Sequence, residues 1–413
     1  MKISELKKIC VVGAGTMGAG IAQTCAQAGF ATSLMDIKEE FVKKALEKIK
    51  TALEESIKRG KLTEQKMQNI LENIYITTDL NAAIKDSNLI IEAIIEDLAA
   101  KKELFKKLDR ICDKSAIFAT NTSTLSITEM AKATDREDRF LGMHFFYPAA
   151  INRLIEVIPG ERTSTDTLET ILELCWKLGK IPIKAKDAPG FAVNRFFVPF
   201  LNESCKILEE KFSNIPTVEH AAKELFGIRM GPFELMNVTG IPIAYHSAEA
   251  LYKALGEFYK PAKALKAQFE SNQKWNLEGE LNKAQVETIK NRFLGLVFNI
   301  APQIVDEGIA TREEVDRGAT TGLRWNLGPF AMMNLIGIQA THKLAAEFAE
   351  KCNIKLPESL ERQANLNLPW DLRSVKFEKK EGVGVITLSR PEALNALNTK
   401  VLLDLRTTLA EIQ

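Results

Sequence analysis

Ile9-Cys10-Val11-Val12-Gly13-Ala14-Gly15-Thr16-Met17-Gly18 is the stretch that decides the fold of this chain. A short apolar run suited to a buried strand leads into three glycines spaced G-x-G-x-x-G. An apolar helical pattern then continues to about Ala28, where Gly29 is a natural stop. Ala31–Asp36 reads as the next strand. Strand, helix and strand within about 30 residues make a β-α-β unit, which predicts a parallel sheet. In that context the glycines have separate duties. Gly13 permits a tight turn, Gly15 lets backbone approach a pyrophosphate, and Gly18 lets the helix pack closely on the strand. A dinucleotide is therefore expected on Gly13, Ala14, Gly15, Thr16, Met17 and Gly18, at a helix N-terminus whose free N–H groups favour an anion. Asp36 lies 18 residues past Gly18. A carboxylate there accepts hydrogen bonds from the adenosine ribose and repels a 2′-phosphate, which predicts NAD rather than NADP.

Outward from this unit, residues 39–73 are rich in Lys and Glu at helical spacing, with a break at Arg59-Gly60, and predict a helical hairpin. Strands are predicted at Asn88–Ala93, Ala116–Thr120, Phe140–Phe145, Arg153–Ile158 and Gly179–Lys184, with a charged helix around Ala100–Cys112. Asp187-Ala188-Pro189-Gly190 marks a boundary. Beyond it strand patterns nearly vanish and long helical patterns take over. The expected fold is thus an α/β Rossmann-type, doubly wound parallel sheet over residues 1–187, followed by all-α structure.

The all-α part repeats itself. Asn194-Arg195-Phe196 recurs as Asn291-Arg292-Phe293, Gly231-Pro232-Phe233 as Gly328-Pro329-Phe330, Met236-Asn237 as Met333-Asn334, and Gly240-Ile241 as Gly337-Ile338. Every pair is 97 positions apart, without a gap. Two copies of one helical unit, 188–284 and 285–370, are expected. From 371 the pattern changes again: Val375-Lys376-Phe377 and Gly384–Leu388 predict a β-hairpin, and an apolar-periodic helix runs to Gln413.

Composition excludes several classes. The chain has 413 residues, 46% hydrophobic, so disorder is ruled out as a global state. Its 55 basic and 54 acidic residues leave a net charge of +1, too little to attract nucleic acid or an anionic membrane at long range. No apolar stretch reaches the roughly 18 residues of a membrane span. The six cysteines, Cys10, Cys25, Cys112, Cys175, Cys205 and Cys352, form no C-x-x-C pair. Free thiols in a reducing cytoplasm and no metal site are expected.

Of four histidines, His220, His246 and His342 lie in helical patterns and read as structural or surface residues. His144 ends a strand in Gly142-Met143-His144-Phe145-Phe146-Tyr147-Pro148. Sites in open α/β sheets lie at the carboxyl ends of strands. Oxidising an alcohol needs a base for the hydroxyl proton, and imidazole is suited to it. Glu156, an acid within apolar Leu154-Ile155-Glu156-Val157-Ile158, is costly if buried alone and could orient that imidazole. A structural histidine and an edge-strand acid are the alternative.

With these residues quoted, the chain resembles the 3-hydroxyacyl-CoA dehydrogenase family over about residues 5–275. The match rests on Val11–Gly18, Asn121-Thr122-Ser123-Thr124-Leu125, Gly142–Phe146, Leu154–Val157, Asp187–Phe191 with Asn194-Arg195, and Gly231-Pro232-Phe233-Glu234-Leu235. The resemblance implies oxidation of (S)-3-hydroxyacyl-CoA by NAD, with helical units like the C-terminal part of 6-phosphogluconate dehydrogenase. It implies His144 as base and Glu156 as its orienting carboxylate. Ser123 would bind the substrate's 3-oxygen near the nicotinamide, Asn194 would support the carbonyl region, and Glu96 and Lys101 would lie near the cofactor. The hairpin would contact CoA, with Ser56, Lys58, Arg59 and Lys61 as candidates. Tyr147 stands where the family usually has Asn, and Asn237 replaces a frequent Asp. Segment 374–413 resembles the start of the enoyl-CoA hydratase (crotonase) family through Val383–Leu388, Arg390-Pro391 and Asn395–Asn398. The residues hydration needs are absent, so the dehydrogenase half of a fused, multifunctional enzyme is expected, with short-chain substrates. In families with a single helical unit two subunits pair through it, so this chain is expected as a monomer or as a homodimer through its helical parts. The alternatives are a dehydrogenase of a free 3-hydroxy acid and a non-catalytic crystallin-like relative.

Overall fold

The run Ile9–Val12 alternates between two buried faces, which is what a strand covered on both sides requires. In the computed structural model, which describes residues 2–380, 382–390, 393 and 395–412, it forms β1 (Lys8–Val12). Ile9 and Val11 join one apolar cluster, and Cys10 and Val12 the other. The remaining strands of this sheet are β2 (Ala31–Met35), β3 (Ile74–Thr77), β4 (Leu89–Glu92), β5 (Ile117–Thr120), β6 (Phe140–Phe145), β7 (Leu154–Pro159) and β8 (Ile181–Lys184). Among the described residues they make an eight-stranded sheet in the order β3-β2-β1-β4-β5-β6-β7-β8. The first six run parallel, and their order reverses between β1 and β4, the switch point of a doubly wound fold.

Two features differ from the expected sheet. β3 follows the hairpin directly and has no counterpart in the sequence reading. It is a four-residue edge strand with its side chains only partly buried, so it lacks an alternating signature. β7 runs antiparallel to β6, with His144 opposite Glu156, and β8 is parallel to β7. The connection from Phe145 to Leu154 is too short for a crossover, which needs about a dozen residues or more, so the chain can only turn back.

Helix α1 (Thr16–Gln27) and the hairpin helices α2 (Glu39–Lys58) and α3 (Glu64–Glu72) cover one face. Gly60, at φ +68, turns the hairpin. The helical part begins with α4 (Val193–Glu209), and α5 (Val286–Asp306) lies 97 positions later in plan. The offset carries into the contacts. Asn237 Nδ2 donates to Trp275 O at 2.9 Å and its Oδ1 accepts from Trp275 N at 2.8 Å. Asn334 does the same to Trp370 at 2.9 and 2.7 Å. Glu219 accepts from the N–H groups of Phe233 and Glu234, and Asp316 from those of Phe330 and Ala331.

The second helical unit covers the outer edge of the sheet. Lys184 N donates to Glu314 Oε1 at 3.0 Å, Lys186 N to Ile309 O at 2.8 Å, and Asn152 Nδ2 to Gly322 O at 2.9 Å. These bonds occupy groups that an open edge would leave for another chain. Towards the C-terminus, strands Val375–Lys380 and Val383–Leu388 pair as an antiparallel hairpin, followed by helix Thr399–Ile412. Pro391 and Gln413 lie outside the described residues. No helix among the described residues is long and apolar enough to cross a membrane.

Candidate active site

The carboxyl ends of β1, β2, β4, β5 and β6 lie along one edge of the sheet, and the predicted residues sit there or just beyond. At β1, Gly13 has φ +109, and a Cβ on it would lie 2.4 Å from Ala93 O. A Cβ on Gly18 would lie 1.7 Å from Gly13 O, so this helix start touches the strand end. A Cβ on Gly15 would meet nothing within 4 Å. The open side is where a ligand would approach. The first N–H groups of α1 have no acceptor within the helix, as at every helix start. Asp36, just after β2, accepts from Ala14 N at 2.6 Å and from Ile37 N at 2.7 Å, which sets its carboxylate beside the glycine turn. This cradle, with an acid at the ribose position, fits NAD.

After β4, Glu96 ties the Ser123 loop in place. Its Oε1 accepts from Thr122 Oγ1 at 2.6 Å, Ser123 N at 2.8 Å and Thr124 N at 3.2 Å. Burial works to raise its carboxyl, but the Lys101 charge and these hydrogen bonds hold it below the ordinary value. Lys101 is itself buried, 3.3 Å from Glu96 and 2.6 Å from Glu92. Glu92 also accepts from Thr120 Oγ1 at 2.6 Å. Glu92 did not stand out in the sequence; as the last residue of an otherwise apolar buried strand it carried the same signal as Glu156. Asn121, whose Oδ1 accepts from Phe145 N at 2.8 Å, joins the ends of β5 and β6. In the sequence Asp187 marks a boundary and belongs to a family-matching block, with no site role assigned. Its carboxylate accepts from Ser126 Oγ, Ile127 N and Thr128 N, fastening the hinge to the segment after Ser123.

His144 and Glu156 face each other across the β6–β7 ladder, with Nδ1 2.6 Å from Oε2. Both are buried. The other oxygen of Glu156 accepts from Ala192 N at 3.0 Å and Val193 N at 2.9 Å, the N-terminal turn of α4. A buried carboxylate is thereby satisfied by two backbone donors, a helix dipole and an imidazole. With Nδ1–H donating to Glu156, Nε2 is the basic nitrogen, and it has no partner among the described residues. Asn194, on the same turn of α4, points Nδ2 at Ser123 O at 3.5 Å. Ser123, His144, Glu156 and Asn194 are thus brought together by β5, β6, β7 and α4.

The hairpin candidates stand apart. Ser56 Oγ donates to Ala52 O, Arg59 pairs with Glu55 at 3.1 Å, and Lys58 and Lys61 are exposed at the hairpin tip. No hydrogen bond or ion pair among the described residues joins that tip to His144. Tyr147 is exposed and precedes a cis Pro148. His220 and His246 are exposed beside Glu224 and Glu249, clear of the site. Among the described residues no cluster of His, Cys, Asp and Glu could hold a metal ion.

The family model described as the 3-hydroxyacyl-CoA dehydrogenase NAD binding domain matches residues 8–188. The model of that family's C-terminal domain matches twice, at 190–280 and 289–386. The chain is 38% identical over 263 residues to a probable 3-hydroxybutyryl-CoA dehydrogenase of Bacillus subtilis, covering 63% of this chain and 91% of the relative. A solved (S)-3-hydroxybutyryl-CoA dehydrogenase from Ralstonia eutropha is 34% identical, with TM-score 0.62, covering 67% of this chain and 98% of that one. A solved 3-hydroxybutyryl-CoA dehydrogenase from Escherichia coli K12 has TM-score 0.80 over 88% of this chain and 99% of its own, at 23% identity, and so speaks for the fold. The chain belongs to the 3-hydroxyacyl-CoA dehydrogenase family and is an NAD-dependent oxidoreductase.

Proposed function

We propose that His144 is the general base of an NAD-dependent oxidation of (S)-3-hydroxyacyl-CoA to 3-ketoacyl-CoA, with short-chain substrates. The observation that carries this reading is the His144–Glu156 pair with its second carboxylate oxygen on the start of α4. His144 Nε2 takes the proton of the substrate's 3-hydroxyl. Ser123 holds the 3-oxygen, and Asn194 the carbonyl region. Glu156 keeps Nδ1 protonated and balances the charge that develops on the ring. Bound NAD supplies the hydride acceptor on the Gly13–Gly18 turn, beside Asp36, Glu96 and Lys101. In the reverse direction protonated His144 returns the proton to the ketone. The short chain length is supported by the 3-hydroxybutyryl-CoA dehydrogenases of Bacillus subtilis and Ralstonia eutropha among the relatives.

The CoA moiety is placed against the hairpin tip, near Ser56, Lys58, Arg59 and Lys61, where exposed cations suit its phosphates. One assay, NADH consumption with acetoacetyl-CoA, tests these roles. His144→Gln is expected to lower kcat about 100- to 10,000-fold, and near-normal turnover would refute the base. Lys58→Glu is expected to raise KM for the thioester with kcat unchanged, and an unchanged KM would remove the hairpin from the CoA site.

The chain is divided, in this reading, into a cofactor domain (1–187), two helical units (188–284 and 285–370) and the start of a crotonase-like domain (371–413). Support for the last comes from Val383, Val385, Ile386, Leu402, Leu403 and Leu409, apolar residues left exposed on the hairpin and final helix. This chain alone is expected not to hydrate an enoyl-CoA; measured hydration would overturn that assignment. A reducing, cytoplasmic setting is supported by six cysteines that form no disulfide.

A further inference from the structure

The two helical units share a plan, so the places where the second departs from it are informative. In the first unit helix Ile215–Phe226 ends on Gly227 in the left-handed region, at φ +67. The residue 97 positions later is Arg324, which keeps that conformation at φ +60. Glycine adopts it freely, whereas an arginine there carries backbone strain. Strained non-glycine residues persist only where the surrounding structure holds them, and they cluster at ligand clamps and active sites. The same stretch holds a second departure. The first unit is regular α-helix to Phe226, but the second passes from helix Arg312–Arg317 into a π-turn at Gly318–Gly322. Such turns gather at functional sites. A third departure removes charge: Lys223, paired with Glu219 and Glu234, and Glu224 are replaced by Thr320 and Thr321.

All three changes line one cleft of about 290 Å³ between the second helical unit and the sheet. Thr320, Thr321 and Arg324 form one wall, and Arg153, at the entrance to β7, stands on the other. Asn152, bonded to Gly322 O across the gap, fixes the spacing of the walls. No carboxylate lines the cleft. Both arginines are exposed, and neither guanidinium has a hydrogen-bond or ion-pair partner among the described residues. Thr320 Oγ1 already donates to Asp316 O at 2.9 Å, so the donors that face a ligand are the two unpaired guanidinium forks and the Thr321 hydroxyl, which match the oxygens of a phosphate group. The cleft shares no residue with the His144 site.

We propose that this cleft binds a phosphate monoester, held between Arg153 and Arg324 with Thr321 as a hydrogen-bonding partner. The group belongs to a separate phosphorylated small molecule or to CoA through its 3′-phosphate, and in the second case the hairpin tip is not where that phosphate is held. Calorimetric titration and melting of the whole chain with inorganic phosphate, CoA and dephospho-CoA test this, comparing the native protein with Arg324→Gly and Arg153→Gln. Both substitutions are expected to weaken phosphate binding about tenfold or more, the loss of one charge-assisted contact. Arg324→Gly restores the first unit's residue, so its ligand-free Tm is expected to rise while its phosphate affinity falls, and an arginine of purely structural use would not give opposite signs. Loss of CoA affinity with dephospho-CoA unaffected would support the cleft with CoA as the source. Loss confined to free phosphate would support it with a separate ligand. Absence of phosphate binding by the native chain, or phosphate affinity in both variants unchanged from the native chain, would overturn the proposal.

Discussion

Asp316 and Glu219 hold equivalent places in the two helical units, each capping the start of a helix that begins Gly-Pro-Phe. Their surroundings differ. Glu219 has Lys223 within 3.4 Å, whereas Asp316 makes no ion pair among the described residues, and burial pushes its carboxyl up to about 7 despite the amides of Phe330 and Ala331. The folded pKa lies above the unfolded one, so between about pH 4 and pH 7 the folded chain holds a proton that the unfolded chain releases. Stability is therefore present at the lower pH and lost as pH rises through 7, by on the order of 4 kcal/mol at most. Melting the native protein and Asp316→Asn at about pH 5 and about pH 8 checks this; the fall in Tm is expected to be smaller in the variant. Asn237 makes a further residue-scale point. It both accepts from and donates to the Trp275 backbone, whereas an ionised Asp in its place could only accept.

At the scale of the element, the β1–α1 turn separates folding from binding. Gly13 and Gly18 are required by the turn itself, because any Cβ there would meet backbone of Ala93 or Gly13. Gly15 has ordinary extended backbone and open space at its Cβ. Gly13→Ala and Gly18→Ala are expected to lower Tm. Gly15→Ala should melt like the native protein while its Kd for NAD rises about tenfold or more, since its Cβ would stand where the cofactor approaches. Calorimetry and NAD titration read the two effects apart, and a lowered Tm in Gly15→Ala would show that this glycine too serves the fold. The start of α4 is the other decisive element. It donates to Glu156 through Ala192 and Val193 and presents Asn194 to the Ser123 loop, so one helical turn from the helical part completes a site otherwise built on the sheet.

Across the whole molecule the two helical units are related as subunits of a symmetric dimer would be. Arg195 of the first pairs with Glu307 of the second at 2.7 Å, and Arg292 of the second pairs with Glu210 of the first at 2.6 Å. Adding 97 to Arg195 and Glu210 gives Arg292 and Glu307, so one contact is made twice, exchanged between copies. That reciprocity defines an isologous interface. We propose that the second unit takes the place of a partner subunit and that the chain is a monomer. Sedimentation of the chain is expected to give the monomer mass; a tight dimer through residues 188–284 would sink the idea.

Period and punctuation in the chain were enough for much of this. The glycine turn, seven of the eight sheet strands, the charged hairpin and the 97-residue offset are local patterns, set by side-chain alternation and by residues that only certain backbone angles accept. The same holds for NAD, because Gly13–Gly18 and Asp36 lie on one contiguous β-α-β unit. Tertiary structure decided what depends on distant segments meeting. β3 became visible only as a partner for β2, and β7 reversed because its loop could not cross the sheet. Glu156 had a plausible partner in His144, but its second oxygen awaited the amides of Ala192 and Val193. Glu92, Asn121 and Asp187 were silent because an acid or amide at a strand end or hinge has no pattern of its own. The paired arginines across the helical units, and Arg153 with Arg324 across the cleft, came together only when chain segments 82 or more positions apart were folded against each other.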